Sequence, residues 1–115
     1  MNWIALTSES QLKDIIANPE QPAMIFKHST RCSISATALS RLERAWNEAE
    51  LGPLKAYYLD LLSYRPVSNQ IASTLNVTHQ SPQLLLIHEG KCVYNASHME
   101  ISYPELKRQL GRILV

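Results

Sequence analysis

The sequence contains few cysteines: Cys32 and Cys92 are the only two among 115 residues. Two thiols so far apart in the chain do not make the disulfide framework that stabilises small secreted domains. We therefore expect a protein of a reducing compartment whose fold depends on an apolar core. A chain of this length builds one such core, and we predict a single domain over residues 1–115.

Excess charge of either sign is also lacking, since 11 basic residues stand against 10 acidic ones. A net charge so close to zero supplies no long-range field that recruits nucleic acid or an anionic membrane surface. No apolar run approaches the roughly 20 residues of a membrane helix. Residues 1–10 show neither the basic nor the apolar stretch of a secretory signal. We expect a cytoplasmic protein without nucleic-acid or membrane partners.

What the sequence does contain is an alternation of short apolar runs and stretches with helical periodicity. Ser8 and Gln11 have the spacing of a capping box before the first helical stretch, and Ser102 and Glu105 repeat it before the last. Pro66 begins a further helical stretch, because proline is well tolerated in the first turn of a helix. The predicted strands are residues 3–6, 23–26, 55–61, 84–87 and 92–94. The predicted helices begin near residues 9, 33, 66 and 103, the second running to about residue 50.

The order of these elements predicts the fold class. Three strand–helix pairs come first, and the last two strands, joined by the tight HEGK turn of residues 88–91, form a hairpin before the final helix. A βαβ unit followed by a ββα unit is typical of the thioredoxin architecture. We predict an α/β protein of thioredoxin-like fold, with a mixed central sheet flanked by helices.

Cys32 lies where the second predicted strand passes into the long helix that begins at Ser33. In open α/β sheets functional sites gather at the carboxyl ends of strands. Unpaired backbone N–H groups and the positive end of the helix dipole favour a thiolate at such a position. Lys27, His28 and Arg31 are expected to add positive charge nearby. The pattern predicts that Cys32 is a reactive nucleophile rather than a buried packing residue.

Ser35 follows three residues after Cys32, giving C-x-x-S where a dithiol oxidoreductase has C-x-x-C. Without a second thiol there, Cys32 can form a mixed disulfide but cannot release its partner by closing a ring with residue 35. An external thiol must complete the reaction. Ser35 either donates a hydrogen bond to the thiolate or is an ordinary first-turn serine, and the sequence leaves both interpretations open.

Two further residues bear on this site. Pro82, in the segment QSPQ, directly precedes a predicted strand, the position at which thioredoxin-like folds hold a cis proline beside the reactive cysteine. A cis bond there would turn the backbone of Ser81 toward Cys32, ready for an extended chain or a thiol. Cys92 lies in an alternating strand and is predicted to be a packing residue, since it resolves a disulfide only if the fold brings it near Cys32.

The segments FKHSTRCSIS, YYLDLL and HQSPQ, together with the length of the chain, resemble the YtxJ-like proteins, the monothiol bacilliredoxins of the thioredoxin superfamily. The resemblance implies that Cys32 takes bacillithiol from S-bacillithiolated client proteins. It also implies that Ser81 and Pro82 form the wall of the thiol groove. A second bacillithiol or a partner redoxin would complete the cycle, with bacillithiol as co-substrate and no tightly bound cofactor.

Bacillithiol carries a malate group, and the resemblance implies that Lys27, His28 or Arg31 pairs with its carboxylates. One residue departs from the family pattern. The family usually reads C-P-I-S, and this chain has Ser33 in place of the proline. A proline at a helix start stiffens the turn and removes an N–H, so Ser33 is expected to alter thiolate stability.

Two other functional classes stay open from the sequence. A monothiol glutaredoxin would use glutathione or hold an iron–sulfur cluster through Cys32, although the C-G-F-S loop of the cluster-binding proteins is missing. A thioredoxin-fold interaction domain would keep the fold without the chemistry. A metal site is not predicted, since the histidines and Cys92 show no paired ligand spacing.

Overall fold

The structure is a computed structural model that describes residues 1–114. Its strands and helices alternate along most of the chain. The strands are β1 (Trp3–Ala5), β2 (Ala23–His28), β3 (Lys55–Asp60), β4 (Gln83–His88) and β5 (Lys91–Ser97). The helices are α1 (Glu9–Ala17), α2 (Ser33–Ala45), α3 (Glu48–Leu51), α4 (Arg65–Leu75) and α5 (Tyr103–Ile113), with a 3-10 helix at His98–Glu100.

The strands form one mixed sheet in the order β1-β3-β2-β4-β5. β3 pairs in parallel with both β1 and β2, whereas β4 pairs antiparallel with β2 and with β5. The carboxyl ends of β1, β2 and β3 therefore meet at one edge of the sheet, and the β4–β5 hairpin turn lies at the other. This topology confirms the predicted fold class.

Both faces of the sheet are covered because β2 alternates its buried side chains between two cores. Met24 and Phe26 face the core formed with α2 and α5, whereas Ala23 and Ile25 face the core formed with α1 and α4. Fully burying one such large apolar side chain contributes about 1.5–3 kcal/mol, so the two cores together hold α2 and α4 firmly against the central strands. No helix in residues 1–114 is long and apolar enough to cross a membrane.

The helix predicted to run to about residue 50 ends earlier, at Ala45. Trp46 and Asn47 have extended backbone, and Asn47 caps the short helix α3 by accepting the N–H of Ala49 at 3.1 Å. The hydroxyl of Tyr103 in α5 donates to Oε1 of Glu50 at 2.8 Å and also lies 3.2 Å from the Asn47 carbonyl. The break therefore lies at a contact with a distant helix, and periodicity within residues 33–50 does not reveal that contact.

Candidate active site

Cys32 is the N-cap residue of α2, four residues after His28, the last residue of β2. Its backbone is extended, and its N–H donates to the Ser29 carbonyl at 3.2 Å, which closes the turn. The side chain is half-buried. A thiolate here faces the free N–H groups of the first helical turn. The position is the one that the sequence predicted.

Ser81 and Pro82 lie beside this turn because Gln83, the next residue, pairs with Lys27 near the end of β2. The Ser81–Pro82 peptide bond is cis. The hydroxyl of Ser81 is buried and has no hydrogen-bond partner within residues 1–114. A buried hydroxyl without a partner is uncommon in folded proteins.

Ser35 is fully buried one turn into α2. Its Oγ accepts the N–H of Ser29 at 3.1 Å and lies 2.7 Å from Nδ1 of His28. Ser29 in turn holds Cys32 through its carbonyl. Ser35 is therefore a fixed support of the turn that carries Cys32, which neither of the two interpretations of the sequence included.

Lys27 does not present its charge beside Cys32, in contrast to the prediction. Its side chain is fully buried on the α4 side of the sheet. The ammonium lies 3.4 Å from the Ser68 carbonyl and 3.3 Å from Nδ1 of His79. Burial lowers the pKa of Lys27 to about 8. Because strand residues alternate in direction, Lys27 points to the opposite face from its neighbour His28.

His28 is also buried, so it cannot pair with a carboxylate at the surface as predicted. Its ring lies on the α2 side, against Tyr58, with ring centroids 5.6 Å apart. Burial lowers the pKa of His28, and the charges of Asp60 and Glu43 act in the opposite direction. Arg31 alone of the three predicted cations is exposed.

Sequence reasoning missed three residues at this edge. Asp60 ends β3 and is the register partner of His28, and its Oδ1 is buried without a partner in residues 1–114. Its place at the end of a strand, in YYLD, was a signal that could have identified it. Ile34 and Met99 are apolar and 45% and 60% exposed. No pattern marks Met99, which the 3-10 helix carries next to Pro82 through the bond from the His98 N–H to the Pro82 carbonyl.

Cys92 lies far from Cys32. It pairs with Ile87, which pairs with Ala23 at the start of β2, so nearly the length of that strand, about 17 Å, separates it from the active edge. Its thiol donates to the Tyr94 carbonyl at 3.3 Å, and burial raises its pKa. The arrangement contains one thiol at the active edge, which can form a mixed disulfide but has no second thiol beside it to break that bond.

Known proteins share both the sequence pattern and the fold. Residues 4–106 match the family of the monothiol bacilliredoxin BrxC. A solved structure whose description names a thioredoxin fold is 31% identical, with a TM-score of 0.80 over 93% of this chain and 92% of that one.

More distant structures share the fold alone. The thioredoxin of Trypanosoma brucei brucei is 17% identical, with a TM-score of 0.74 over 98% of this chain and 91% of that one. The thioredoxin of Fasciola hepatica is also 17% identical, with a TM-score of 0.68 over 94% and 96%. The site and the family match together assign a thiol redox role, and the chain belongs to the monothiol bacilliredoxin family.

Proposed function

We propose that this protein removes bacillithiol from mixed disulfides on client proteins, with Cys32 as the nucleophile. One observation carries the proposal: Cys32 caps α2 beside Ser81–Pro82, while Cys92 lies at the opposite end of the sheet. A site with a single thiol suits the transfer of a small thiol better than the reduction of a disulfide within one protein.

The first step is attack of the Cys32 thiolate on the bacillithiol sulfur of the client disulfide. A bond forms between Cys32 and bacillithiol, and the client sulfur leaves as a thiolate that takes a proton from solvent. The first turn of α2 favours the attacking anion through its free N–H groups. The client is thereby reduced, and Cys32 carries the bacillithiol.

The second step needs an external thiol. Ser35 has no sulfur, and its buried hydroxyl is already bonded to Ser29 and His28. A second bacillithiol, or the thiol of a partner redoxin, attacks the bacillithiol sulfur on Cys32. The new disulfide forms between the external thiol and bacillithiol, and Cys32 leaves as a thiolate ready for another client. The cycle requires no tightly bound cofactor, and the reducing conditions of the cytoplasm suit it.

Recognition of the two partners divides between polar and apolar groups. Arg31 is the exposed cation of the turn and is the candidate for pairing with the malate carboxylates of bacillithiol. The backbone of Ser81, before the cis Pro82, is the candidate for main-chain hydrogen bonds to the incoming chain or thiol. Ile34 and Met99 supply exposed apolar surface for the client protein.

The test mixes reduced protein with a bacillithiolated client and follows both masses. We expect Cys32 to gain bacillithiol as the client loses it, and a glutathionylated client to react more slowly. The variant Cys92→Ser is the matched control and should transfer normally, whereas Cys32→Ser should not transfer at all. If Cys32 acquires glutathione as readily as bacillithiol, or acquires neither, the assignment to bacillithiol is wrong.

A further inference from the structure

Ser35, which supports the turn of Cys32, is bonded to a histidine on the α2 side of the sheet, and the proposed reaction gives that histidine no role. Oγ of Ser35 lies 2.7 Å from Nδ1 of His28. His28 is in turn the register partner of Asp60 across β2 and β3. Ser35 and His28 are both buried, so solvent does not compete for the bond between them.

The hydrogen bonds of Ser35 can be counted. A hydroxyl has one proton to donate and two lone pairs that accept. One lone pair accepts the N–H of Ser29 at 3.1 Å. If Nδ1 of His28 carries no proton, Ser35 donates its only proton to that nitrogen. If Nδ1 is protonated, His28 donates to the second lone pair, and the hydroxyl proton of Ser35 is free to turn elsewhere.

The free proton needs an acceptor, and the sulfur of Cys32 is the candidate, because the Cys32 side chain makes no hydrogen bond to the helix start. Cys32 is the N-cap residue of α2 and Ser35 is the third residue of the helix. The two positions are three residues apart, a spacing that places side chains on the same face at the start of a helix. Ser29 bonds to both residues, since its N–H donates to Oγ of Ser35 and its carbonyl accepts the N–H of Cys32. The freed hydroxyl of Ser35 would donate a hydrogen bond to a thiolate at Cys32.

We propose that His28 is a positioning residue for the thiol: by gaining or losing a proton at Nδ1, it turns the Ser35 hydroxyl toward or away from the Cys32 sulfur. The proposal rests on Cys32 being the reacting thiol of the proposed function. It concerns the ionisation of that thiol and not the identity of the small thiol that it accepts.

The charges around His28 suit this role. The titratable groups that face it are Asp60 and Tyr58 from β3 and Glu43 from α2. Burial lowers the pKa of His28, so the neutral ring holds the Ser35 proton at neutral pH. Asp60 and Glu43 favour the protonated ring, and Oδ1 of Asp60 has no hydrogen-bond partner in residues 1–114. The site therefore holds a negative charge beside a histidine that can accept a proton.

If His28 acts on Cys32 through the Ser35 hydroxyl, a relay between the two groups, the titration of His28 is coupled to that of the Cys32 thiol. If protonated His28 stabilises the Cys32 thiolate through Ser35, the thiolate must stabilise protonated His28 to the same extent. Removing the thiolate should therefore lower the proton affinity of His28. A direct effect of charge through space would do the same, but it would not need the hydroxyl of Ser35.

The experiment follows the His28 ring by NMR as a function of pH, with its resonance assigned by its absence from His28→Asn. Four proteins are compared: wild type, Cys32→Ala, Ser35→Ala and the double variant. We expect Cys32→Ala to lower the proton affinity of His28 about fivefold when Ser35 is present. Less than half of that change should remain in the Ser35→Ala background. An equal change in both backgrounds, or no change in either, overturns the proposal.

Ser35→Ala leaves the Ser29 N–H without a partner, which costs about 1–3 kcal/mol. If that variant does not fold, Asp60→Asn tests the same relay at a partly exposed position. It should lower the proton affinity of His28 and, with it, the thiolate fraction of Cys32 below neutral pH. A shifted His28 titration with an unchanged thiolate fraction overturns the proposal. Neither test uses bacillithiol, so this proposal and the proposed function can fail separately.

Discussion

The ammonium of Lys27 lies 3.3 Å from Nδ1 of His79, so a buried cation is bonded to an imidazole and not to a carboxylate. Its other hydrogen bond goes to the carbonyl of Ser68 at 3.4 Å. Burial lowers the pKa of His79, and the charges of Lys27 and Arg65 lower it further, so His79 accepts from Lys27 as a neutral ring. The pair lies between α4 and the segment that leads to Pro82, at a cost to stability.

The variant Lys27→Met should be more stable than the wild type at neutral pH. Burial lowers the pKa of Lys27 from 10.5 to about 8, a difference worth about 3 kcal/mol. An apolar side chain of similar length removes that cost but also loses two hydrogen bonds, so we expect a net gain of about 1–3 kcal/mol. Urea unfolding measures it, with Lys91→Met, at an exposed lysine, as the matched control.

The same pair of variants gives a pH signature. The folded protein releases the Lys27 proton near pH 8, whereas the unfolded chain holds it to about 10.5, so unfolding takes up a proton between these values. Stability should therefore rise with pH across that window in the wild type, and the cost should be fully present below it. In Lys27→Met this contribution should vanish. An identical pH dependence in both proteins would show that Lys27 is not titrating as a buried group.

Cys32 should react with iodoacetamide at neutral pH about tenfold faster than Cys92, or more. Cys32 is at a helix N-terminus, whereas burial raises the pKa of Cys92 and reduces its thiolate fraction. Peptide mass analysis after short labelling times distinguishes the two sites. Equal labelling rates, or loss of thiol transfer in Cys92→Ser, would contradict a monothiol site at Cys32.

Arg31→Ala should slow transfer from a bacillithiolated client about two- to fivefold, the range expected for an exposed ion pair. The difference from wild type should shrink as salt is added, because exposed charges are screened. Lys91→Ala removes a cation at the opposite end of the sheet and should leave the rate unchanged. Equal effects of the two substitutions would assign Arg31 a general electrostatic role and no specific contact.

Ser33→Pro should stabilise the fold and weaken the thiolate. Ser33 is the first residue of α2, where the fixed backbone of proline is well accommodated. We expect a gain of about 0.4–1 kcal/mol, because proline restricts the unfolded chain. The substitution also removes one N–H from the helix end that faces Cys32, so its thiolate fraction should fall. Urea unfolding and the ultraviolet absorbance of the thiolate measure the two effects. A higher thiolate fraction would exclude the Ser33 N–H as a contributor.

The sequence by itself determined the order of strands and helices and the place of the reactive thiol. Capping residues such as Ser8 and Ser102, and the period of the apolar residues, are local signals that lie within each element. Cys32 and Pro82 could be placed at one edge because they adjoin the ends of strands, and the topology brings those ends together. C-x-x-S likewise identified a single thiol without reference to any distant residue.

Only the tertiary structure decided which polar residues reach the surface and where α2 stops. The local sequence indicates a cluster of cations at Lys27, His28 and Arg31. The sheet, however, buries Lys27 and His28 on opposite faces, and only Arg31 of the three is exposed. Where α2 stops, the chain contacts Tyr103, whose hydroxyl bonds Glu50 and lies near the carbonyl of Asn47, 56 residues away in the chain. The physical reason is that burial and long-range hydrogen bonds depend on which elements pack together. Neighbouring residues in the chain do not carry that information.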